Sequence, residues 1–211
     1  CGTINIEKDF NIENLKNYYF ISSKSKVSSD IFQRAINLNF YFVQISISFE
    51  RKLNYENIHD TSFEFANNSD LSQLGAIAFK SFFFDRFHKD NNIPNEIASE
   101  IKRKWIENFF KEKRGDKCFV SKDHDGSIKG FLLTKKVEDV IIIDLISVAK
   151  NYRRQGVAKS LINSMFSYYH KNYKNFIVST QLENTNSIHL YKSLEFRIKN
   201  YAIIWHYINK R

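Results

Sequence analysis

Arg153, Arg154, Gly156 and Ala158 stand together in the stretch NYRRQGVAKSL, Asn151–Leu161, directly after an apolar run ending at Ala149. A packed core has no use for two arginines beside a glycine where a strand gives way to a helix; an anionic ligand does. The first amides of a helix lack internal acceptors, and the helix dipole adds about half a positive charge there. Gly156 admits a bulky anion to the main chain because it has no Cβ, and Ala158 is small in the same way. Arginine adds charge and grips two phosphate oxygens at once. The chemistry of this cluster is pyrophosphate capture. The same residues also describe a basic helix start facing water, with Gly156 as a turn. Neither GxxxxGK[ST] nor GxGxxG occurs, which excludes the two commonest phosphate loops.

Other titratable side chains invite proton-transfer chemistry. Tyr191 shares a helical spacing with Ile188 and Leu194, as a core tyrosine would. A phenol with an ordinary pKa near ~10 is also protonated at neutral pH, which suits a general acid. Asp144 interrupts the apolar run, and Asp85 and His88 lie in SFFFDRFHKD. Each of these three is a candidate base, acting directly or through water, and each is equally a structural residue. Arg86, His88, Lys89 and Asp90 crowd into five positions beside Phe82, Phe83, Phe84 and Phe87. That many phenylalanines do not suit a free loop; a pocket wall or a core edge is expected.

The elements that must position these groups follow from periodicity. SSDIFQRAINLNF reads as a short helix capped by Ser29 or Asp30, and YFVQISISF alternates like a strand. SFEFANNSD ends a strand at a cap, with Asp70 as N-cap of a helix through LSQLGAIAFKSFFF. A longer helix follows Pro94, with Ile97, Ile101, Trp105 and Phe109 forming its apolar stripe together with Ile106 and Phe110. KCFVSKD and SIKGFLLTKK flank Asp125-Gly126 as a hairpin. A buried strand from Val140, a helix from Val157, a strand NFIVSTQLE, a short helix NTNSIHLYKSL and a last strand AIIWHYI complete the chain. The order is mixed α/β.

With 211 residues, 43% hydrophobic and 26% charged, the chain reads as a globular domain with an extension. A soft polar break at Asn54–Asp60 divides a small α/β extension, residues 1–58, from a main domain, residues 59–211. The formal net charge is +9, yet no block of consecutive basic residues, no RNA-recognition aromatic motif and no zinc-finger spacing occurs. A local anion site on a Lys-rich background therefore outweighs a nucleic-acid surface. Cys1 and Cys118 form no CxxC pair, no metal is expected, and Cys118 in KCFV reads as a small buried residue. No run of 18 apolar residues is present, so no membrane insertion is expected and the default compartment is the cytoplasm.

RRQGVA, with Arg153, Gly156 and Ala158 at the defining positions, resembles the [QR]xxGx[GA] signature of the GNAT acyltransferase superfamily. DLISVAKNY leads into it as that family's central strand does, and NTNSIHLYKSLEF resembles its late segment through Asn184, Tyr191 and Phe196. Glu195 stands where the family usually has glycine. The resemblance covers about Phe63 to Tyr207 and implies the GNAT fold, with a central strand splayed from its neighbour. It also implies acetyl-CoA as acetyl donor. The diphosphate would then rest on amides of the turn formed by Arg153, Arg154, Gln155, Gly156, Val157, Ala158 and Lys159. The pantetheine arm would pair along Leu145, Ile146, Ser147 and Val148. The Val148 amide would polarise the carbonyl, Tyr191 would protonate the leaving thiolate, and Asn184 would hold the coenzyme or cap its helix.

DRFH, the helix ending Trp105-Ile106-Glu107-Asn108, KCFVSKDHDGSIKGF, STQLENT and INLNFYFVQISISF further resemble the dTDP-fucosamine acetyltransferase branch. That resemblance implies a dTDP-4-amino-4,6-dideoxyhexose acceptor in surface polysaccharide biosynthesis, bound by Phe84, Arg86, Phe87, His88 and Asp90. Arg86 and Lys89 would pair a second diphosphate, and a phenylalanine would stack on thymine. A homodimer is compatible with it. Two other readings stand beside it: a GNAT enzyme for another amine, such as a protein N-terminus or a polyamine, and a basic nucleic-acid-binding module without catalysis. The basic DRFHK stretch argues against a polyamine.

Overall fold

The computed structural model describes residues 2–8, 15, 17–53 and 61–209. The first half comprises β1 (Gly2–Ile4), β2 (Phe20–Ser25), α1 (Ser29–Asn37), β3 (Tyr41–Lys52), β4 (Glu64–Phe65), α2 (Leu71–Ser81) and α3 (Asn95–Phe110). The second half comprises β5 (Cys118–Lys122), β6 (Ile128–Val137), β7 (Val140–Val148), α4 (Val157–Tyr169), β8 (Asn175–Gln181), α5 (Thr185–Ser193) and β9 (Arg197–Ile208). The strands form one mixed sheet in the order β1-β2-β9-β3-β8-β7-β6-β5-β4. This is the mixed α/β sheet expected from the alternation of periods. The domain boundary expected at residue 58 and Cys1 both lie outside the described residues.

Helices cover both faces. Val157, Leu161, Ile162, Met165 and Phe166 of α4 pack on Phe49, Leu132, Ile141 and Phe176 of the sheet, and Tyr191 and Leu194 join them from the α5 region. Leu74 and Ala78 of α2 and Ile106 of α3 pack on Cys118, Phe131, Leu133 and Leu145. A third cluster joins Ala35 of α1 to Ile21, Ile203 and Trp205. Burying such aliphatic and aromatic side chains stabilises by about 1.5–3 kcal/mol each. Cys118, a small core residue as read, is 1% exposed, and burial pushes its thiol up to about 12.

Several local expectations are corrected. Ser28, not Ser29 or Asp30, stands at the N-cap of α1, and its side chain makes no cap bond. Asp70 stands at the N-cap position of α2 as expected, but its side chain makes no cap bond there and instead completes a capping box that starts one turn earlier at Asn67. The Asn67 side chain accepts from the Ser69 N–H at 2.9 Å, and its own N–H donates to Asp70 at 3.0 Å. A short polar pair thus satisfies orphan amides of a 3-10 turn that leads into the helix. Helix α2 ends at Ser81, and Phe82 leaves it in extended backbone. The buried residues of α3 are Ala98, Lys102 and Ile106, while Ile97 is 53% exposed. Strand β2, which the sequence did not signal, pairs antiparallel with β9 along its whole length.

Candidate functional site

Strands β7 and β8 run parallel but pair only from Val140–Ile143 against Asn175–Val178. Beyond that point β8 stays with β3 as far as Ser46–Gln181, whereas β7 stays with β6 as far as Gly130–Val148. The two strands therefore part. The cause is local: Leu133 faces Leu145 and Thr134 faces Ile143, so Asp144 is an extra residue in β7. An inserted residue bends the strand that carries it. Asp144 and Leu145 consequently turn to the α2–α3 face; Leu145 enters its core, and Ile146 and Val148 return to the α4 face. A cleft of about 690 Å³ opens between the strands, with Ile146, Ser147 and Val148 on one wall and Gln181 on the other.

The turn predicted to hold an anion lies at this cleft. After β7, a 3-10 turn spans Lys150–Tyr152, anchored by the Tyr152 hydroxyl donating to Asp123 at 3.1 Å. Arg153 Nε donates to the Val148 carbonyl at 3.1 Å, which folds the chain back over the end of the strand. Arg154 and Gly156 both adopt left-handed backbone, at φ 65° and 79°. A Cβ on Gly156 would meet no atom within 4 Å, so the space before it is open. Helix α4 starts at Val157 without a side-chain cap, and the amides from Arg154 to Lys159 donate to no described group. Such a row of free amides at a helix start is an anion-binding surface. Arg153, Arg154, Gly156, Val157, Ala158 and Lys159 all line the cleft. Gln155 does not; its side chain donates to the Asn151 carbonyl at 3.0 Å. Gly130 was not foreseen: a Cβ there would come within 2.8 Å of the Ser147 carbonyl and 3.1 Å of Val157. Its bareness lets α4 begin directly against the end of β7.

Helix α5 forms the opposite rim. Asn184 caps it by accepting from the Ser187 N–H at 3.2 Å, and it also faces the cleft. Ser187, His189, Leu190 and Ser193 line the same wall and carried no sequence signal beyond helical position. Tyr191 is 2% exposed and does not line the cleft. Its ring lies 5.8 Å from those of both Phe49 and Phe196, and burial raises the phenol above its ordinary value. Its hydroxyl has no hydrogen-bond partner among the described residues.

The loop after α2 crosses the mouth, where Phe82, Phe83, Phe84 and Asp85 face the cleft. Gln44 of β3 holds this loop down: oriented to satisfy both its atoms, its amide donates to the Phe84 carbonyl at 2.8 Å and accepts from the Arg86 N–H at 3.1 Å. The remaining residues expected to bind substrate turn inward. Phe87 is 7% exposed and packs against Phe20, Trp105 and His206. His88 Nδ1 contacts Asp85 at 2.5 Å, and its Nε2 contacts the Ser99 hydroxyl at 3.1 Å. Asp90 accepts from Tyr41 at 2.7 Å, from His206 Nδ1 at 2.6 Å and from the Asn92 amide at 2.9 Å. Burial alone would raise the Asp90 carboxyl, but these bonds outweigh it and hold it low. Desolvation in turn keeps His206 below its ordinary value, so its Nδ1–H is the donor to an ionised Asp90.

A buried lysine escaped the sequence reading. Lys102 is 4% exposed; its Nζ lies 3.5 Å from Asp85 and 4.0 Å from the Trp105 ring centre, with Phe82 and Phe87 also within cation–π reach. Desolvation lowers it to about 8. Asp144, a candidate base, is held by Arg114 and approached by Lys135 at 3.6 Å, and it does not line the cleft. Of the candidate bases, Asp85 alone faces the cleft.

Comparison with known proteins accords with this geometry. The model of the acetyltransferase (GNAT) family matches residues 79–196, more than half of the chain. The spore coat polysaccharide biosynthesis protein SpsD of Bacillus subtilis is 25% identical over 138 residues, 65% of this chain and 47% of that protein. The chain thus spans about half the length of the curated relative it matches. A GCN5-related N-acetyltransferase from Sphaerobacter thermophilus superposes with a TM-score of 0.60 at 14% identity, over 90% of this chain and 59% of that one. A conserved protein of unknown function from Staphylococcus epidermidis gives 0.62 at 13%, over 92% and 74%. Those two likenesses concern the fold, whereas the family match spans the turn, the splayed strands and α5 together: the chain belongs to the acetyltransferase (GNAT) family.

Proposed function

We propose that the chain is an acetyl-CoA-dependent N-acetyltransferase whose acceptor is the amine of a nucleotide-linked amino sugar, of the dTDP-4-amino-4,6-dideoxyhexose type, in surface polysaccharide biosynthesis. The observation that carries the acetyl-CoA assignment is the parting of β7 from β8 with the free amides of Arg154–Lys159 at the same cleft. Those amides and the Arg154 side chain would hold the diphosphate, while the free edge of Ile146–Val148 would pair with an extended amide-bearing arm. The donor supplies an acyl thioester. The Val148 N–H would donate to its carbonyl oxygen. The neutral Tyr191 phenol, packed between Phe49 and Phe196 behind the cleft wall, would donate a proton to the departing sulfur once the acyl end of the donor reaches past α5 to it. Burial raises that phenol above its ordinary value, which favours its protonated form. Asp85 is the carboxylate available at the cleft to take a proton from the acceptor ammonium.

The sugar assignment is supported by the aromatic and charged loop at Phe82–Asp90 and by the likeness to SpsD, a protein named for spore coat polysaccharide biosynthesis. A panel of amino-sugar nucleotides, polyamines and N-terminal peptides incubated with acetyl-CoA tests it through thiol release. Release with a 4-amino-4,6-dideoxyhexose nucleotide is expected. Release confined to a polyamine or a peptide would replace the acceptor, and no release with any amine would remove the activity.

A further inference from the structure

Three cations converge behind the loop that crosses the cleft, and only two have a carboxylate. Lys102 has Asp85 at 3.5 Å. Arg114 has Asp144, with Nη2–Oδ1 2.8 Å and Nε–Oδ2 2.7 Å. The Arg86 guanidinium has neither an ion pair nor a hydrogen bond among the described residues; its Nε is fully buried and unpartnered. The guanidinium carbon lies 4.7 Å from the centre of the Phe87 ring. Burial lowers Arg86 from its ordinary value; attraction to Asp85 opposes this in part, and repulsion from Arg114 adds a smaller lowering. A fourth cation stands outside. Lys24 of β2, its side chain exposed, is lowered by desolvation of its ammonium and then by Arg86. Register places Lys24 on the face of His206, since Lys24 pairs with Ile204 and Ser22 with His206; the His206 ring packs on Phe87 at 6.2 Å. A guanidinium withdrawn from water with no carboxylate in contact is costly, and the Phe87 ring offsets only part of that cost.

Resting on the acceptor class proposed above, we propose that Arg86, with Lys24 at its solvent side, forms a second oxyanion subsite that takes the diphosphate of the acceptor nucleotide. The geometry favours a doubly charged group, because two cations there lack acidic partners and a planar guanidinium holds two phosphate oxygens. The subsite is separate from the turn at Gly156: Arg86 does not line the main cleft, but its neighbours Phe84 and Asp85 do. An acceptor anchored at Arg86 would present its amine past Asp85 to the cleft.

The test is calorimetric binding of dTDP and of inorganic pyrophosphate to protein already saturated with CoA, which occupies the first diphosphate site. Both should bind, and Arg86→Gln should weaken each at least tenfold. Arg86→Lys should give an intermediate loss, and Lys24→Gln a smaller one. Lys171→Gln removes the same charge at the other end of α4 and should change nothing. CoA affinity, measured in each variant, should stay at the wild-type value and reports that the fold is intact. Equal affinity in Arg86→Gln, no binding of either diphosphate, or glucuronate binding in their place overturns the subsite. If the diphosphates bind through Arg86 and no dTDP-amino sugar is acetylated, the subsite stands and the acceptor assignment falls.

Discussion

Asp144 and Arg114 meet through two contacts, 2.8 Å between Nη2 and Oδ1 and 2.7 Å between Nε and Oδ2. The carboxylate sits on the bulge that parts β7 from β8, and the guanidinium lies 3.8 Å over the Trp105 ring. A strand insertion and the end of α3 are thereby locked to each other. Removing one partner of a largely buried pair leaves the other unpaired, at a cost of about 3 kcal/mol. Asp144→Asn should therefore lower stability by about that amount in denaturant unfolding, while the pH profile of turnover keeps its shape. A profile that loses its acidic limb would make Asp144 the base instead.

Gly156 carries φ 79° with open space before it. Gly156→Ala should cost ~1–2 kcal/mol of stability through left-handed backbone alone. Gly156→Val should in addition weaken CoA binding more than tenfold by filling the approach to the amides. A calorimetric titration with unchanged affinity would contradict the anion assignment of this turn.

Tyr191→Phe keeps the ring between Phe49 and Phe196 and removes only an unpartnered hydroxyl. Stability and CoA affinity should stay near the wild-type values, while turnover should fall by about a hundredfold or more. Unchanged turnover would reduce Tyr191 to a core residue.

Lys102 gives a pH signature. Its folded value of about 8 lies below the ordinary 10.5. Below about pH 8 both the folded and unfolded states hold the proton, and the burial penalty is complete. Above it the native state releases the proton first, so stability rises with pH toward the ordinary lysine range. Thermal unfolding should show wild type gaining roughly 1–2 kcal/mol between about pH 8 and 9.5 relative to Lys102→Met. Parallel curves for the two proteins would mean that Lys102 does not titrate there.

The chain order of elements and the anion turn were legible because both are local. The run from Val140 into NYRRQGVAKSL carries the strand, the free helix start and the glycine within some twenty residues, and the folded turn uses those same residues. The N-cap position of α2 at Asp70 was legible as well, but not that its carboxylate turns back to the Asn67 N–H: Asn67, Ser69 and Asp70 offer equivalent oxygens, and only the reciprocal bonds choose among them. The stripe of α3 was legible in its second half, where Trp105, Ile106, Phe109 and Phe110 pack on the core, but not in its first, where Ile97 is exposed and Lys102 is buried. Ile97 and Ile101 outrank Lys102 in hydrophobicity, yet Asp85 from the preceding loop and the rings of Phe82, Phe87 and Trp105 make a cage that only a cation fills.

Sequence by itself determined which residues start helices with free amides and which strands are buried, since backbone geometry and burial periodicity act over a few neighbours. Tertiary structure alone decided that β8 follows β3 while β7 follows β6, and so where the cleft opens. That choice depends on one inserted residue at Asp144 and on pairings between segments more than a hundred residues apart, as Ser48 with Ser179. It likewise decided which arginine keeps an ion pair: Arg114 reaches Asp144 across 30 positions, and Arg86, beside an aspartate in sequence, makes none among the described residues.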